Sequence, residues 1–254
     1  MRLALIYGKI LLVAFFTLAR TSWAQDYDPF KIKREEFFGK CKTIALTPIR
    51  VPGILGNVDS VKAQFDSLLV AALRQADFVV IPSQEYEQIR QREMEQLGGF
   101  FDPITGKRDT AKTKFLTERC RRELHARFNA DALFYASIQA VKVSFSGGKA
   151  KWHGASESLL SKGGIAGFFS DARYSSGTTG ALSFFVALED TNGADVYFNA
   201  GGIQVTHKIS GTQLVPIPNE QFLTNKERNL AAVRLALGPL LKRAPFTEMQ
   251  KREN

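Results

Sequence analysis

The stretch Ala181–Ile209, ALSFFVALEDTNGADVYFNAGGIQVTHKI, decides the fold. Leu182, Phe184, Val186 and Leu188 alternate with Ser183, Phe185, Ala187 and Glu189. That period of two predicts a strand with one buried face. Asp190-Thr191-Asn192-Gly193 follows, and Asn and Gly tolerate the positive φ angles of a tight hairpin. The return strand opens with Val196 and Phe198 pointing one way. After Gly201-Gly202 the apolar positions change parity to Ile203, Val205, His207 and Ile209. A parity switch at a Gly pair predicts a β-bulge that bends the strand. The outcome is a long, curved antiparallel hairpin that the rest of the chain must cover.

Upstream, Lys42–Ile49 reads as a short strand with Ile44 and Leu46 on one face, ended by Pro48. Val61, Phe65, Leu68, Leu69, Ala72 and Leu73 recur at helical spacing from about Ser60. Phe78–Ile81 has the length and composition of a buried strand and stops at Pro82. Ser83 is placed to cap a second helix running to Leu97, which Gly98-Gly99 ends. A third helix spans Ala111–Phe128, with a basic exterior that includes Arg119, Arg121, Arg122 and Arg127. Leu133–Phe145 is a strand. Lys149–Glu157 is a further short strand, and Leu159–Gly180 reads as a long loop carrying Phe168, Phe169 and Tyr174. Thr224-Asn225-Lys226-Glu227 has the form of a capping box opening a last helix, and Gly238-Pro239 weakens or ends it. This order predicts an α/β (α+β) fold. A single mixed sheet carries crossover helices in the first half, and an antiparallel meander and a carboxy-terminal helix make the second.

The first 24 residues are set apart from that fold. Arg2 and Lys9 precede the apolar run Ile10–Ala19, and Ser22-Trp23-Ala24 puts small residues at the last and third-last positions. That pattern predicts a secretory signal cut between Ala24 and Gln25. The run is shorter than the ~20 residues a membrane span needs, and no later stretch is long and apolar enough to span as a helix. The expected organisation is a signal peptide at 1–24, an arm at 25–40, one α/β domain at 41–243 with a Gly-rich loop at about 147–180, and a polar tail at 244–254. The whole chain carries a net charge of +9, and loss of Arg2, Lys9 and Arg20 leaves the mature chain at +6. Export speaks against nucleic acid as the partner and allows peripheral association with an anionic membrane.

Cys41 and Cys120 are the only cysteines. In an oxidising compartment two cysteines permit one disulfide. The alternative is that Cys120, in register with Leu116, Leu124 and Phe128, is a small buried hydrophobe on a helix face.

A catalytic constellation does not assemble from these residues. His125, His153 and His207 are the only histidines, and no pair of them has the spacing of a metal-binding helix. Gly106-Lys107 lacks the Gly five residues earlier, where Phe101 stands, and the Ser or Thr that a phosphate loop places after the Lys. Gly154-Ala155-Ser156-Glu157-Ser158 lacks the closing Gly of a nucleophile elbow. No catalytic residue, metal ligand or cofactor site is therefore assigned. His153, beside Trp152 and next to the long loop, has the one plausible binding context. Trp152, His153, Phe168, Phe169 and Tyr174 are the candidate partner contacts.

The strand KTIALTPI, the helix with Phe65-x-x-Leu68-Leu69, Ala76-Asp77-Phe78-Val79-Val80, Ala130-Asp131-Ala132-Leu133 opening a strand, and ALSFFVALEDTNGADVYF together carry a resemblance. They resemble the curli-secretion-lipoprotein-like (CsgG-like) families, whose α/β architecture is related to the TolB amino-terminal domain. The resemblance covers about Lys42–Arg243 at the level of element order. It implies a non-enzymatic periplasmic accessory protein of envelope export or assembly that contacts envelope proteins and itself, as a ring. The chain departs from the family in lacking a lipid-carrying Cys at the mature amino terminus. Lys149–Gly180 also has too little alternation for the membrane-inserting hairpins of the channel members. Two other classes stay open: a ligand-binding module with the loop aromatics around a pocket, and a secreted enzyme whose polar cluster converges only in three dimensions.

Overall fold

The structure, a computed structural model, describes residues 27–53, 58–99, 101, 105–107, 109–160, 176–210 and 213–241. The expected signal segment with Ala24 and Gln25, the loop aromatics Phe168, Phe169 and Tyr174, and the polar tail lie outside the described residues.

The central hairpin is present. β6 (Ser176–Asp190) pairs antiparallel with β7 (Asp195–Val205). The Asp190 carboxylate accepts from the backbone N–H of Asn192 and Ala194, and Gly193 takes φ 83°. The expected bulge lies beside the Gly pair: Leu182 faces Gln204 while Ser183 faces Gly202, so Ile203 is the extra residue. A second shift at the turn, between Leu188–Tyr197 and Glu189–Asp195, corrects the parity expected for the return strand. Tyr197 enters the core with no exposed surface, and Phe198 turns outward. The Tyr197 hydroxyl donates to the Ala236 carbonyl at 2.6 Å. β6 also begins earlier than expected, so Ser176–Gly180 belongs to a strand rather than to the loop.

β3 (Ala132–Ser146) pairs with β6 along its whole length without a register shift. On its other side β3 meets β1 (Thr43–Leu46) in parallel, and β1 meets β2 (Val79–Ile81) in parallel. Those two parallel pairs require crossovers, which α2 (Val58–Gln75) and the pair α3 (Ser83–Gln96) and α4 (Thr110–Phe128) provide. β2 is an edge strand: Phe78, Val80 and Ile81 are buried as expected, and Val79 is 61% exposed. β4 (Lys149–Trp152) and β5 (Ala155–Ser158) form a hairpin on the far end of β3. Its turn residues His153 and Gly154 both have positive φ, as a two-residue hairpin turn of the favoured twist requires. β8 (His207–Ser210) and β9 (Gln213–Pro216) make a separate two-stranded sheet.

The alternation of the strands sorts the apolar residues onto two faces. Ile44, Leu46, Phe134, Ile138, Phe184 and Leu188 face one cluster, covered by α1 (Arg34–Lys40), α2 and α5 (Lys226–Leu241). Ala45, Ile81 and Leu133 face the opposite cluster, under α3 and α4. A third cluster lies under the β4–β5 hairpin, where Val143, Phe145 and Ala181 meet Trp152, Leu159, Val205 and Ile209. Leu159 is therefore core rather than the start of a loop.

Several local expectations change. The amino-terminal arm contains helix α1, tied down by Phe30 and Phe37, whose rings meet edge-on at 5.2 Å. Ser83 is the first residue of α3, not its cap. The cap of α5 is Asn225, whose side chain accepts from the Arg228 N–H, and the helix continues through Pro239 to Leu241.

Candidate interaction surface

Cys41 and Cys120 are both free thiols. The possible pairing is not made: Cys41 lies in the cluster under α1 and α2, and Cys120 in the cluster under α3 and α4. A bridge would have to cross the sheet that separates the two clusters. Burial pushes the Cys41 thiol up to about 12 and the Cys120 thiol up to about 11. The buried-hydrophobe reading describes both.

Among the described residues, the face of β6 that carries Glu189, Ala187, Phe185, Ser183 and Ala181 is covered only at its two ends. At one end α4 closes it. Arg121, which the sequence reading placed on the basic exterior, is buried and donates to Glu189 Oε2 at 2.5 Å. The Tyr135 hydroxyl donates to the same oxygen at 3.1 Å. At the other end the β4–β5 hairpin lies across the sheet. Trp152, a candidate partner contact, is buried, and its indole N–H approaches the Leu182 carbonyl at 3.4 Å. Gly202 permits this approach, since a Cβ there would stand 2.7 Å from Trp152 Nε1. The His153 carbonyl accepts from the Gly202 N–H at 3.0 Å. Glu157 fastens the hairpin's base: Oε2 accepts from the Val205 N–H, and Oε1 takes Lys208 Nζ at 2.7 Å and Arg228 Nη1 at 2.9 Å.

Between these two covers the sheet is open among the described residues. Phe185 lies there half-buried, between Ser137 on β3 and Ala200 on β7, and Ala187 lies between Tyr135 and Phe198. Phe198 is 41% exposed, and its ring centre is 6.1 Å from that of Phe185 at an angle of 31°. Tyr27 stands at the sheet edge, 59% exposed, with its hydroxyl donating to the Phe198 carbonyl at 2.8 Å. His153 borders the patch from the hairpin tip, edge-on to Phe185 at 5.2 Å. The patch is a shallow aromatic floor on rigid strands, with the polar Ser137 and Gln139 along one side.

His153 Nδ1 is 2.9 Å from Ser183 Oγ. This serine–histidine contact is not a presented nucleophile, because Ser183 has no exposed surface beneath the hairpin. It holds the hairpin tip onto β6. Partial burial of the imidazole lowers its pKa below the ordinary 6.5 and favours the neutral ring near neutral pH.

Of the two candidate contacts among the described residues, His153 borders the surface and Trp152 does not. The sequence reading missed Phe185, Phe198 and Tyr27. A signal for Phe185 was present: it occupies the half of the β6 alternation that otherwise holds Ser, Ala and Glu, where a phenylalanine is out of place on a solvated face.

No family model and no curated protein matches the chain. Solved structures similar to it include a PelC variant dodecamer from Paraburkholderia phytofirmans. That likeness has a TM-score of 0.33 and 12% identity, covering 79% of this chain and 90% of that one. A second PelC dodecamer structure from the same organism has a TM-score of 0.32 and 13% identity, over 81% and 91% of the two chains. The lipoprotein GNA1162 from Neisseria meningitidis has a TM-score of 0.30 and 16% identity, over 64% and 81%. Likenesses this loose carry no conclusion about activity or assembly.

Proposed function

We propose that the chain is a non-enzymatic periplasmic accessory protein of cell-envelope export or assembly, working through protein contacts and self-association. The observation that carries this reading is the aromatic floor of Phe185 and Phe198, left open among the described residues between α4 and the β4–β5 hairpin. An aromatic side chain presents roughly 150–250 Å². Burying the exposed part of Phe198 would remove about 80 Å² from water, worth about 2 kcal/mol at roughly 25 cal/mol per Å². Tyr27 at the sheet edge adds a similar amount. A few kcal/mol suits a weak contact repeated in an assembly rather than a lone tight one. The export-type amino terminus and the resemblance in element order to the CsgG-like families support the compartment. The burial of Trp152 removes one wall from the aromatic pocket that a ligand-binding module would use.

The test is Phe198→Asp in the exported chain. Partner capture by cross-linking in the periplasm should be lost while the thermal midpoint stays within about 2 °C, the scale of a surface change. Retained capture would place the contact elsewhere.

A further inference from the structure

The two central strands run past their neighbours, one on each side. β3 meets β1 and then the chain at Arg50, which accepts from the Ile138 N–H and donates to the Ala136 carbonyl. β4 joins only at Phe145. Between them, Ala140, Lys142 and Ser144 turn their backbone N–H and C=O groups away from β6, and among the described residues these groups have no partner. All three residues are exposed. β6 has the matching feature on its opposite side. β7 ends with Val205 facing Ala181, and the Thr206 N–H closes on the Gly180 carbonyl. Beyond that point the outward backbone groups of Ser176 and Thr178 are unpaired among the described residues, and both residues are exposed. An open strand edge is a template for another strand.

We propose that this ribbon pairs between copies of the chain, the β3 edge of one copy against the β6 edge of the next. Three features on the ribbon select a second copy as the occupant. β3 and β6 are antiparallel, so copies related by a simple rotation meet antiparallel without reversal. The pleat agrees: setting Lys142 opposite Thr178 and Ser144 opposite Ser176 keeps all four exposed side chains on one face. The same register continues the face of Val141, Val143 and Phe145 into the neighbour's Gly177 and Thr179. Charge decides between the two ways of pairing. A two-fold β3–β3 pair centred on the open edge would set Lys142 against its own copy, and like charges directly opposite destabilise a sheet. Lys142 against Thr178 carries no such penalty. The contact is therefore heterologous, and repetition leads to a ring if the rotation closes.

This deepens the self-association in the proposed function and rests on that reading, but it uses a different surface from the aromatic floor. The test uses two variants of the exported chain that each add one exposed cysteine, Lys142→Cys and Thr178→Cys. The native thiols are buried and do not compete. Mixed in equal amounts and oxidised, the two should give a disulfide-linked dimer on a non-reducing gel, and each alone should stay monomeric. A dimer from Lys142→Cys alone, or none from the mixture, overturns the proposal. In a second measurement, Lys142→Pro removes an N–H that the β3–β6 ladder does not use, as edge strands tolerate. Sedimentation should show self-association weakened at least tenfold against Lys142→Ala. Phe198→Asp should leave the cross-link intact, so a failure of the aromatic contact and a failure of the ribbon are read separately.

Discussion

Replacing Gly201 by Ala tests how the carboxy-terminal helix sits on the sheet. Gly201 lies on β7 opposite Phe184, on the face that α5 covers. A Cβ built there would stand 2.8 Å from the Ala232 carbonyl carbon and 3.0 Å from its Cα, with the carbonyl oxygen closer still. Ordinary contact begins at 3.4 Å, and the obstacle is helix backbone rather than a side chain that can swing away. The helix must back off by more than half an ångström. That movement is felt by Ala232, Val233, Ala236, Leu237 and Leu240, all with no exposed surface. A gap of 0.5–1 Å forfeits roughly a quarter to a half of each contact's dispersion energy. Overpacking of this kind costs about 1–3 kcal/mol, and a rigid obstacle puts Gly201→Ala at about 3. At roughly 2–4 °C per kcal/mol for a chain of this size, the midpoint should fall by about 6–12 °C. Gly238→Ala is the control, on the same helix with nothing within 4 Å of the added carbon. Its midpoint should stay close to the parent's, because the helix propensity of Ala, about 0.5–1 kcal/mol over Gly, is set against crowding of the new Cβ by Pro239. Differential scanning calorimetry of both variants is the assay. A Gly201→Ala protein as stable as its parent would refute the close approach of α5 to β7.

Three further outcomes are expected. Arg121→Ala strands Glu189 and the Tyr135 hydroxyl at the α4 end of the sheet. With Glu189 26% exposed, the full cost of a broken buried pair is softened to about 2–3 kcal/mol, measurable by urea unfolding. Both thiols should resist iodoacetamide at pH 8 in the folded chain and react once it is unfolded, since burial holds Cys41 near 12 and Cys120 near 11. Rapid native labelling, or a native mass two hydrogens short, would contradict their placement. His153 has a folded pKa below the unfolded 6.5, so the unfolded chain binds the proton more readily. Its contribution is unchanged above pH 6.5 and is lost as the pH falls from there toward the lowered folded value. His153→Gln should flatten that part of the profile of thermal midpoint against pH.

The strands were legible because their chemistry is local. Alternation along Leu182–Leu188 needs no knowledge of the rest of the chain, and the Gly201-Gly202 parity switch marked the bulge within two residues. The turn misled the reading further along. A second bulge at Val196 reversed the return strand, so Tyr197 went inward and Phe198 outward. Nothing in ADVYF alone distinguishes the two parities. Trp152 reads as a candidate partner contact because it stands among small and polar residues beside the Gly-rich loop. Its burial depends on Gly202, fifty residues away, leaving room for the indole. Arg34–Lys40 looked like a solvated arm for a related reason: Phe37 packs edge-on against Phe30, whose ring in turn meets Tyr197, and Arg34 reaches the Pro239 carbonyl at 2.7 Å. The two cysteines were a matter of topology. Which face of the sheet each residue joins is decided by the crossovers, and compartment and count say nothing about that.

The central claim, that the open floor between α4 and the β4–β5 hairpin is a protein-contact surface, is tested most directly by a photo-cross-linking amino acid at Phe198 in the exported chain. The comparison position is Glu87, exposed on the outer side of α3. Irradiation of intact cells should give a discrete adduct from position 198 whose partner is identified by mass as an envelope protein or a second copy of this chain, with none from position 87. No adduct at 198, or the same adducts from both positions, would contradict the account.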